Sequence, residues 1–195
     1  MISSPVNVLA ISGSLRTQSF NTQLLRAAKL LVEPDIVVEV ATLHGIPLYD
    51  GDVESAQGSP VAVQTLKAQI LAADALLLAT PEYNNGIPGV FKNAIDWLSR
   101  PSSEMAALFG GRPVALIGAS PGGFGTILAQ NAWLPVLKAL GTLHWTGGRM
   151  MLSRAHKAFD ESGVLVDETA RQALKDFLTG FAQFVLAQNG VTARP

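Results

Sequence analysis

The sequence of 195 residues contains no cysteine. Disulfide scaffolds, iron–sulfur clusters, thiolate zinc sites and catalytic thiols all require cysteine sulfur, so none of them is available to this chain. Its histidines, His44, His144 and His156, stand apart without H-x-x-x-H or H-E-x-x-H spacing, and we expect no metal site. The missing cysteines are compatible with the cytoplasmic location that we expect.

Charge is also scarce. Charged residues make up 15% of the chain, and 14 Lys and Arg against 15 Asp and Glu leave a net charge of −1. A nucleic-acid partner or an anionic membrane would favour a polybasic surface, which this balance does not provide. No apolar run approaches the roughly 18 residues that span a bilayer, and the first residues lack a signal-peptide pattern. We expect a soluble, unexported protein that binds neither nucleic acid nor membrane.

Apolar residues, in contrast, reach 48%, and the mean hydropathy is +0.30. This length and composition predict a single domain over residues 1–195 with a large core. Buried parallel strands or a subunit interface could each account for the apolar excess.

Apolar runs at residues 6–11, 36–41, 75–79 and 113–118, with a fifth strand within 143–152, predict β-strands. Helical periodicity lies between them, with N-terminal signals at Ser19, Ser59 and Pro88. Residues 126–140 are also helical in pattern, but Pro135 predicts a kink or two short helices. The alternation predicts a doubly wound α/β layer of five parallel strands with helices on both faces. Ligands of such sheets bind beyond the carboxyl ends of the strands, at the loops.

The first loop, residues 13–21, joins a strand to a helix N-terminus and contains three hydroxyl side chains and Arg16. Free backbone N–H groups, hydroxyls and a guanidinium favour an anion over an ordinary capped turn. The loop lacks both G-x-G-x-x-G and G-x-x-x-x-G-K-[ST], so neither a dinucleotide fingerprint nor a P-loop is present. A monophosphate fits better.

The second loop, residues 80–88, is polar and longer than a minimal turn. Its backbone amides, with Tyr83, Asn84 and Asn85, could contact a flat heterocycle, although Pro, Asn and Gly are also ordinary turn formers.

The third loop, residues 118–123, formally matches the G-x-S-x-G nucleophile elbow. We reject a hydrolase, because Pro121 follows Ser120 and has no N–H for an oxyanion. No acid lies between Ser120 and His156 either, so the expected order of a triad is missing. Ser120 is better interpreted as a hydrogen-bonding residue beside Gly122 and Gly123, which let backbone approach a ligand.

Together, G-S-L-R-x-x-S-x-N at residues 13–21, P-E-Y-N at 81–84 and I-P-G-V-F-K-N-A-I-D-W at 87–97 are similar to the NADPH-dependent FMN reductase family. That family includes bacterial quinone, azo and chromate reductases. The segment F-D-E-S-G-V-L at 159–165 also resembles the family's stretch before the last helix. Gly86, where relatives often carry Ser, and Pro135 depart from the pattern.

The resemblance implies a flavodoxin-like fold with strand order 2-1-3-4-5 and bound FMN. Carried over by position, Ser14, Arg16, Ser19 and Asn21 would hold the phosphate, the second loop would border the isoalloxazine chiefly through backbone, and the third would close the far side. The full set of implied cofactor-binding residues is Ser14, Leu15, Arg16, Thr17, Gln18, Ser19, Phe20, Asn21, Pro81, Glu82, Tyr83, Asn84, Asn85, Gly86, Ser120, Pro121, Gly122 and Gly123.

The implied function is transfer of hydride from NADPH or NADH through FMN to quinones, flavins or other small acceptors. We assign no catalytic proton-transfer residue, because the cofactor carries the chemistry. The family's subunits form dimers or tetramers with the flavin near the interface, and Tyr83 with the helix at 88–98 are the candidate surface. A flavodoxin-type electron carrier without NAD(P)H turnover remains the alternative, and an FMN-free scaffold is a third interpretation.

Overall fold

The structure, a computed structural model, describes residues 5–192. One parallel sheet forms the middle layer, in the order β2-β1-β3-β4-β5, which confirms the strand order implied above. Its main strands are β1 (Val6–Ser12), β2 (Ile36–Ala41), β3 (Ala75–Ala79) and β4 (Pro113–Ala119). The predicted fifth strand is divided in two: β5 (Leu143–His144) pairs with the start of β4, and β6 (Met150–Leu152) pairs with its end.

Helices cover both faces of this sheet. Their bounds are α1 (Phe20–Val32), α2 (Gly51–Gln57), α3 (Val61–Ala72), α4 (Gly89–Leu98), α5 (Ser102–Phe109), α6 (Ile127–Ala139) and α7 (Glu168–Thr192). Side chains of α1 and α7 pack with Val8 and Ala10 of β1, whereas α3 to α6 pack with Leu9 and Ile11. Successive residues of a strand point to opposite faces, so this alternation produces two cores.

The middle of the sheet explains the high apolar content. All five residues of β3 are buried, as are all seven of β4, because helices cover both of their faces. Trp97 and Trp133 are fully buried on the α3-to-α6 side. Their indole N–H groups donate to the carbonyl oxygen of Pro47 at 2.9 Å and to Oγ1 of Thr80 at 3.1 Å.

Of the two outcomes predicted at Pro135, the division into two short helices is wrong, because α6 continues through it as one helix. Trp133 and Leu137, on either side of Pro135, are both buried in the core on this face of the sheet. Pro135 itself is exposed. The missing N–H therefore costs one helical hydrogen bond without dividing the helix.

The N-cap of α3 differs from the sequence prediction, and the helices α2 and α5 were not predicted. Pro60, rather than Ser59, is the N-cap of α3, and the Ser59 hydroxyl oxygen accepts a hydrogen bond from Lys67 Nζ at 3.3 Å. Helix α2 was not predicted because it buries no residue and so has no apolar periodicity. Helix α5 is short and buries only Leu108 and Phe109.

Within residues 5–192, no helix combines the length and apolarity needed to cross a bilayer.

Gly118 in β4 lies where the sheet meets α6. A Cβ atom there would come within 1.8 Å of Thr126 Oγ1 and 2.6 Å of the Thr80 carbonyl oxygen. We predict that Gly118→Ala lowers the free energy of unfolding by about 2 kcal/mol or more, because strand and loop must move apart. Gly89→Ala is the control, since a Cβ at the first residue of α4 meets no atom within 4 Å. Urea denaturation measures both, and equal stability of the two variants would contradict this packing.

Candidate functional site

Strands β1, β3 and β4 are parallel, so the three loops that follow them meet at one edge of the sheet. The first loop begins at Gly13, whose N–H donates to the carbonyl oxygen of Ala79 at 2.9 Å. A Cβ on Gly13 would lie 2.1 Å from the ring of Phe91, so only glycine lets the first loop pack this closely against α4.

The first loop ends as the N-terminus of α1. Ser19 is the N-cap, and its Oγ accepts a hydrogen bond from the Thr22 N–H at 3.4 Å, which confirms the predicted cap. Ser14 and Ser19 are each only 3% exposed, whereas Arg16 is exposed. Within residues 5–192, the N–H groups of Thr17 and Gln18 have no hydrogen-bond partner. The loop thus combines free donors, hydroxyls and a cation at the positive end of a helix dipole.

Asn21 joins the first loop to the third. Its Nδ2 donates to the carbonyl oxygen of Ala119 at 2.9 Å, and its Oδ1 accepts from the Ala119 N–H at 3.0 Å. The side chain is 3% exposed. The Asn21 amide therefore holds the end of β4 beside the start of α1.

The second loop contains a two-residue turn. Asn84 and Asn85 have φ of 49° and 62°, and Tyr83 and Gly86 exchange backbone hydrogen bonds across them at 3.1 and 3.3 Å. Two successive left-handed residues match a type I′ turn, for which asparagine is well suited. A Cβ on Gly86 would lie 3.9 Å from the nearest atom, the carbonyl oxygen of Tyr83, so the fold would accept Ser there.

Glu82 connects the second loop to α6. Its Oε2 accepts hydrogen bonds from the N–H groups of Leu128 at 2.8 Å and Ala129 at 3.0 Å. These amides belong to the first turn of α6, so a carboxylate from another loop caps that helix and complements its dipole. Oε2 of Glu82 is thereby occupied by α6.

Tyr83 faces the first loop. Its Oη lies 3.5 Å from Ser14 Oγ, and the residue is 45% exposed. The ring therefore borders the space between the first two loops and keeps a free surface for another flat group.

The third loop is bonded to β6 directly after β4 ends. The Ser120 N–H donates to the Leu152 carbonyl oxygen at 3.0 Å, and Ser120 Oγ donates to the Gly125 carbonyl oxygen at 2.6 Å. This hydroxyl interaction agrees with the interpretation of Ser120 as a hydrogen-bonding residue. A Cβ on Gly123 would meet no atom within 4 Å, and one on Gly122 only Ser120 Oγ at 3.7 Å. Contacts within the chain therefore do not require glycine at these positions, and the bare backbone suits close approach by a ligand.

The three loops enclose a cavity of about 60 Å³. The predicted residues that line it are Ser14, Arg16, Ser19, Phe20, Asn21, Pro81, Glu82, Tyr83, Ser120 and Pro121. The predicted residues outside its lining are Leu15, Thr17, Gln18, Asn84, Asn85, Gly86, Gly122 and Gly123. A small cavity at the α1 N-terminus, lined by buried hydroxyls and by the exposed side chains of Arg16 and Tyr83, can hold an anion with a flat group beside it.

Sequence reasoning missed two residues of this site. Ala119 lines the cavity and carries the backbone groups that Asn21 binds. His44, considered in the sequence only as a possible metal ligand, contacts the first loop, because its Nε2 lies 3.2 Å from the Leu15 carbonyl oxygen. A carbonyl accepts, so Nε2 carries a proton in this contact. The available signal was position, because His44 follows β2 at the same edge of the sheet.

Within the described residues 5–192, no group of three or more His, Asp or Glu side chains is placed to hold a metal ion. The polar side chains of the three loops mostly bind backbone of neighbouring elements.

The chain matches the family model described as NADPH-dependent FMN reductase over residues 6–157. It is 44% identical over 97% of its length to an NAD(P)H-dependent FMN reductase of Pseudomonas aeruginosa, all of which is covered. It is 37% identical to a 2-hydroxy-1,4-benzoquinone reductase of Burkholderia sp., covering 92% of this chain and 96% of that protein. Among solved structures, FerB of Paracoccus denitrificans, a flavoenzyme NAD(P)H:(acceptor) oxidoreductase, aligns with a TM-score of 0.82 and 33% identity, covering 94% of this chain and 98% of FerB.

The cap that Glu82 provides can be tested by removing its carboxylate. We predict that Glu82→Ala lowers the free energy of unfolding by about 0.5–2 kcal/mol, because two N–H groups of α6 lose their acceptor. Glu82→Gln keeps an acceptor oxygen without the charge and should lose less. Urea denaturation of both variants measures the difference, and wild-type stability of Glu82→Ala would refute the cap.

Proposed function

The chain belongs to the NADPH-dependent FMN reductase family, and on that premise we propose how its loops hold FMN and what the bound cofactor is used for. The protein is an FMN-dependent NAD(P)H oxidoreductase that passes hydride from NAD(P)H through FMN to quinones, flavins or other small acceptors. The observation that carries the residue assignment is the meeting of the three loops at the N-terminus of α1.

The first loop binds the FMN phosphate. Ser14 and Ser19 supply buried hydroxyls, Arg16 supplies an exposed guanidinium that can approach the phosphate from the solvent side, and the free N–H groups of Thr17 and Gln18 point to the same use. Donors and positive charge at a helix start suit a phosphate. Asn21 contributes by position, because its side-chain amide binds Ala119 while its backbone belongs to the first turn of α1.

The second and third loops border the isoalloxazine. Tyr83 offers a half-exposed ring on one side, and Gly122 and Gly123 offer bare backbone on the other. The room that a Cβ would fill at both glycines supports the fit of a flat ring. Pro81 and Glu82 line the cavity beneath it, while Asn84, Asn85 and Gly86 shape the turn that presents Tyr83.

Bound FMN would supply the hydride and electron transfer between the nicotinamide and the acceptor. The chain's own residues hold the phosphate and restrict the orientation of the ring, while the exposed faces of Tyr83 and the third loop leave room for a small acceptor. We assign no residue to proton transfer. The Ser120 hydroxyl, which could otherwise donate to a ligand, is directed to Gly125.

We also propose that residues 1–195 act as one flavodoxin-like domain, supported by the two cores that share a single sheet. The use of NAD(P)H supports a cytoplasmic location, and the acceptors are small molecules, with neither nucleic acid nor membrane as a partner.

We further propose a homodimer or homotetramer with the flavin near the interface. Tyr83 is available at the candidate surface, but the large side chains Phe91 and Trp97 of α4 are fully buried in their own subunit. Exposed apolar side chains lie instead beside the third loop, at Phe124, Ile127 and Leu128. These residues extend the candidate surface towards α6. The mass of the purified protein in solution tests the assembly.

A flavodoxin-type electron carrier is the alternative, and it is not favoured. A carrier that docks cationic partners benefits from an acidic surface, and the net charge of −1 offers little excess acid. The relatives are named as enzymes with their own reductase activity.

Purified protein tests the function directly. We expect it to be yellow with bound FMN and to oxidise NADPH with a benzoquinone acceptor when no other protein is added. Absorption spectra and nucleotide oxidation measure the two properties. Bound FMN without turnover would support the carrier instead, and a colourless protein that does not take up added FMN would reject both.

The phosphate assignment has its own test in Arg16→Glu. We predict that FMN binds at least about tenfold more weakly, because an anion then faces the phosphate. Arg26→Glu is the matched control, since Arg26 is also exposed and the charge change is the same, but it lies within α1 away from the cavity. Flavin fluorescence titration measures both affinities, and equal weakening in the two variants would refute a specific role for Arg16.

A further inference from the structure

A second, larger cavity lies beside the sheet edge at β6. It has a volume of about 570 Å³ and is bounded by β6, the 3₁₀ turn Ala155–Lys157 and the beginning of α7. This volume is within the roughly 300–1,000 Å³ of small-molecule sites. The cavity shares no lining residue with the one between the three loops, and the FMN assignment above does not use it.

Three cations line this second cavity: Arg149, Arg154 and Lys157. In the part of the chain whose side chains are described, residues 5–188, none of these side chains forms a hydrogen bond or ion pair. The acid in the lining, Asp167, is occupied because its Oδ1 accepts the N–H of Ala170 at 2.8 Å. Between Glu104 and Asp160 the sequence contains no Asp or Glu at all. The lining therefore carries three positive charges against the one negative charge of Asp167, and its net charge is positive.

Apart from Ser153 and Thr169, the remaining wall is apolar. Met150 is buried, and Leu152, Ala158 and Ala170 complete an aliphatic surface next to the cations. Methionine and small aliphatic side chains adapt to a flat heterocycle, while guanidinium groups bind phosphate oxygens in pairs. The cavity thus suits a ligand that joins a phosphate to an aromatic base.

Backbone hydrogen bonds connect this cavity to the third loop. The N–H of Arg154 donates to the Gly122 carbonyl oxygen at 2.9 Å, and the N–H of Ala155 donates to the Ser120 carbonyl oxygen at 3.0 Å. The backbone that carries Arg154 is therefore bonded directly to the loop assigned to the far side of the flavin. A nucleotide bound there can extend a second ring towards that loop.

We propose that Arg149, Arg154 and Lys157 bind the adenosine 2′-phosphate of NADPH and so make the enzyme prefer NADPH to NADH. This inference rests on the proposed function, since it assigns a site to the hydride donor. NADH lacks the 2′-phosphate, so only NADPH engages all three cations. Arginine commonly accommodates this phosphate where a dinucleotide site distinguishes the two nucleotides.

The first experiment measures binding without turnover. The probes are adenosine 2′,5′-bisphosphate and adenosine 5′-monophosphate, which differ only in the 2′-phosphate, titrated calorimetrically into the FMN-loaded protein. We expect the bisphosphate to bind about tenfold or more tightly. Equal affinities would overturn the proposal. Inorganic phosphate that binds as tightly as the bisphosphate would also overturn it, because the cavity would then hold only a small anion.

The second experiment uses Arg154→Asn with Lys157→Gln. Asparagine suits the left-handed backbone at Arg154, where φ is 49°. We expect the double variant to lose the preference for the bisphosphate and to raise KM for NADPH about tenfold, with KM for NADH and kcat within about twofold of wild type. Lys157→Gln alone should give a smaller change in the same direction and serves if the double variant does not fold.

Lys175→Gln is the matched control, because Lys175 is an exposed cation of α7 outside the cavity lining. A rise in KM for NADPH and NADH alike, or an equal rise in the control, would overturn the proposal. Failure of the proposed function looks different, because the wild-type protein would then oxidise neither nucleotide.

Discussion

The candidate site depends on one buried amide, that of Asn21. Its two hydrogen bonds to Ala119 join the beginning of α1 to the end of β4, across the position of β3 in the sheet. Both partners are backbone groups in a region with little water, so losing the side chain would leave a buried donor and a buried acceptor unpaired. The first and third loops keep a fixed separation because of this contact, and the cavity between them follows from it.

Glu82 and Tyr83 place the second loop against that frame. The carboxylate of Glu82 binds the start of α6, and Tyr83 reaches Ser14. Each loop is thus held by an element that does not precede or follow it in the chain. Such cross-connections make the edge of the sheet rigid before any ligand arrives, which reduces the ordering cost of binding.

The sequence was sufficient to predict an element where apolar periodicity or a local capping residue decides the structure. Strand β3 is buried on both faces and was predicted with its observed bounds, and the cap at Ser19 has a local chemical signature. Helix α2 has no buried residue, so no apolar periodicity marks it in the sequence. Helix α6 continues through Pro135, and Trp133 and Leu137 beside it are buried, a tertiary contact that the local preference of proline does not predict. In the site, the sequence showed which polar residue types the loops contain, but it did not predict which groups those side chains contact. That Asn21 binds Ala119, Glu82 caps α6 and His44 contacts Leu15 are tertiary facts between residues distant in sequence.

The divided fifth strand has a consequence for how this protein meets other chains. Strands β5 and β6 contain two and three residues, and Gly147 and Gly148 lie between them, so this end of the sheet lacks a continuous row of free backbone donors and acceptors. An intruding strand needs such a row to extend a sheet, and a short, interrupted edge resists fibril-like growth. Contacts at this end must instead be made by side chains, whose shapes and charges can discriminate between partners where a backbone ladder cannot.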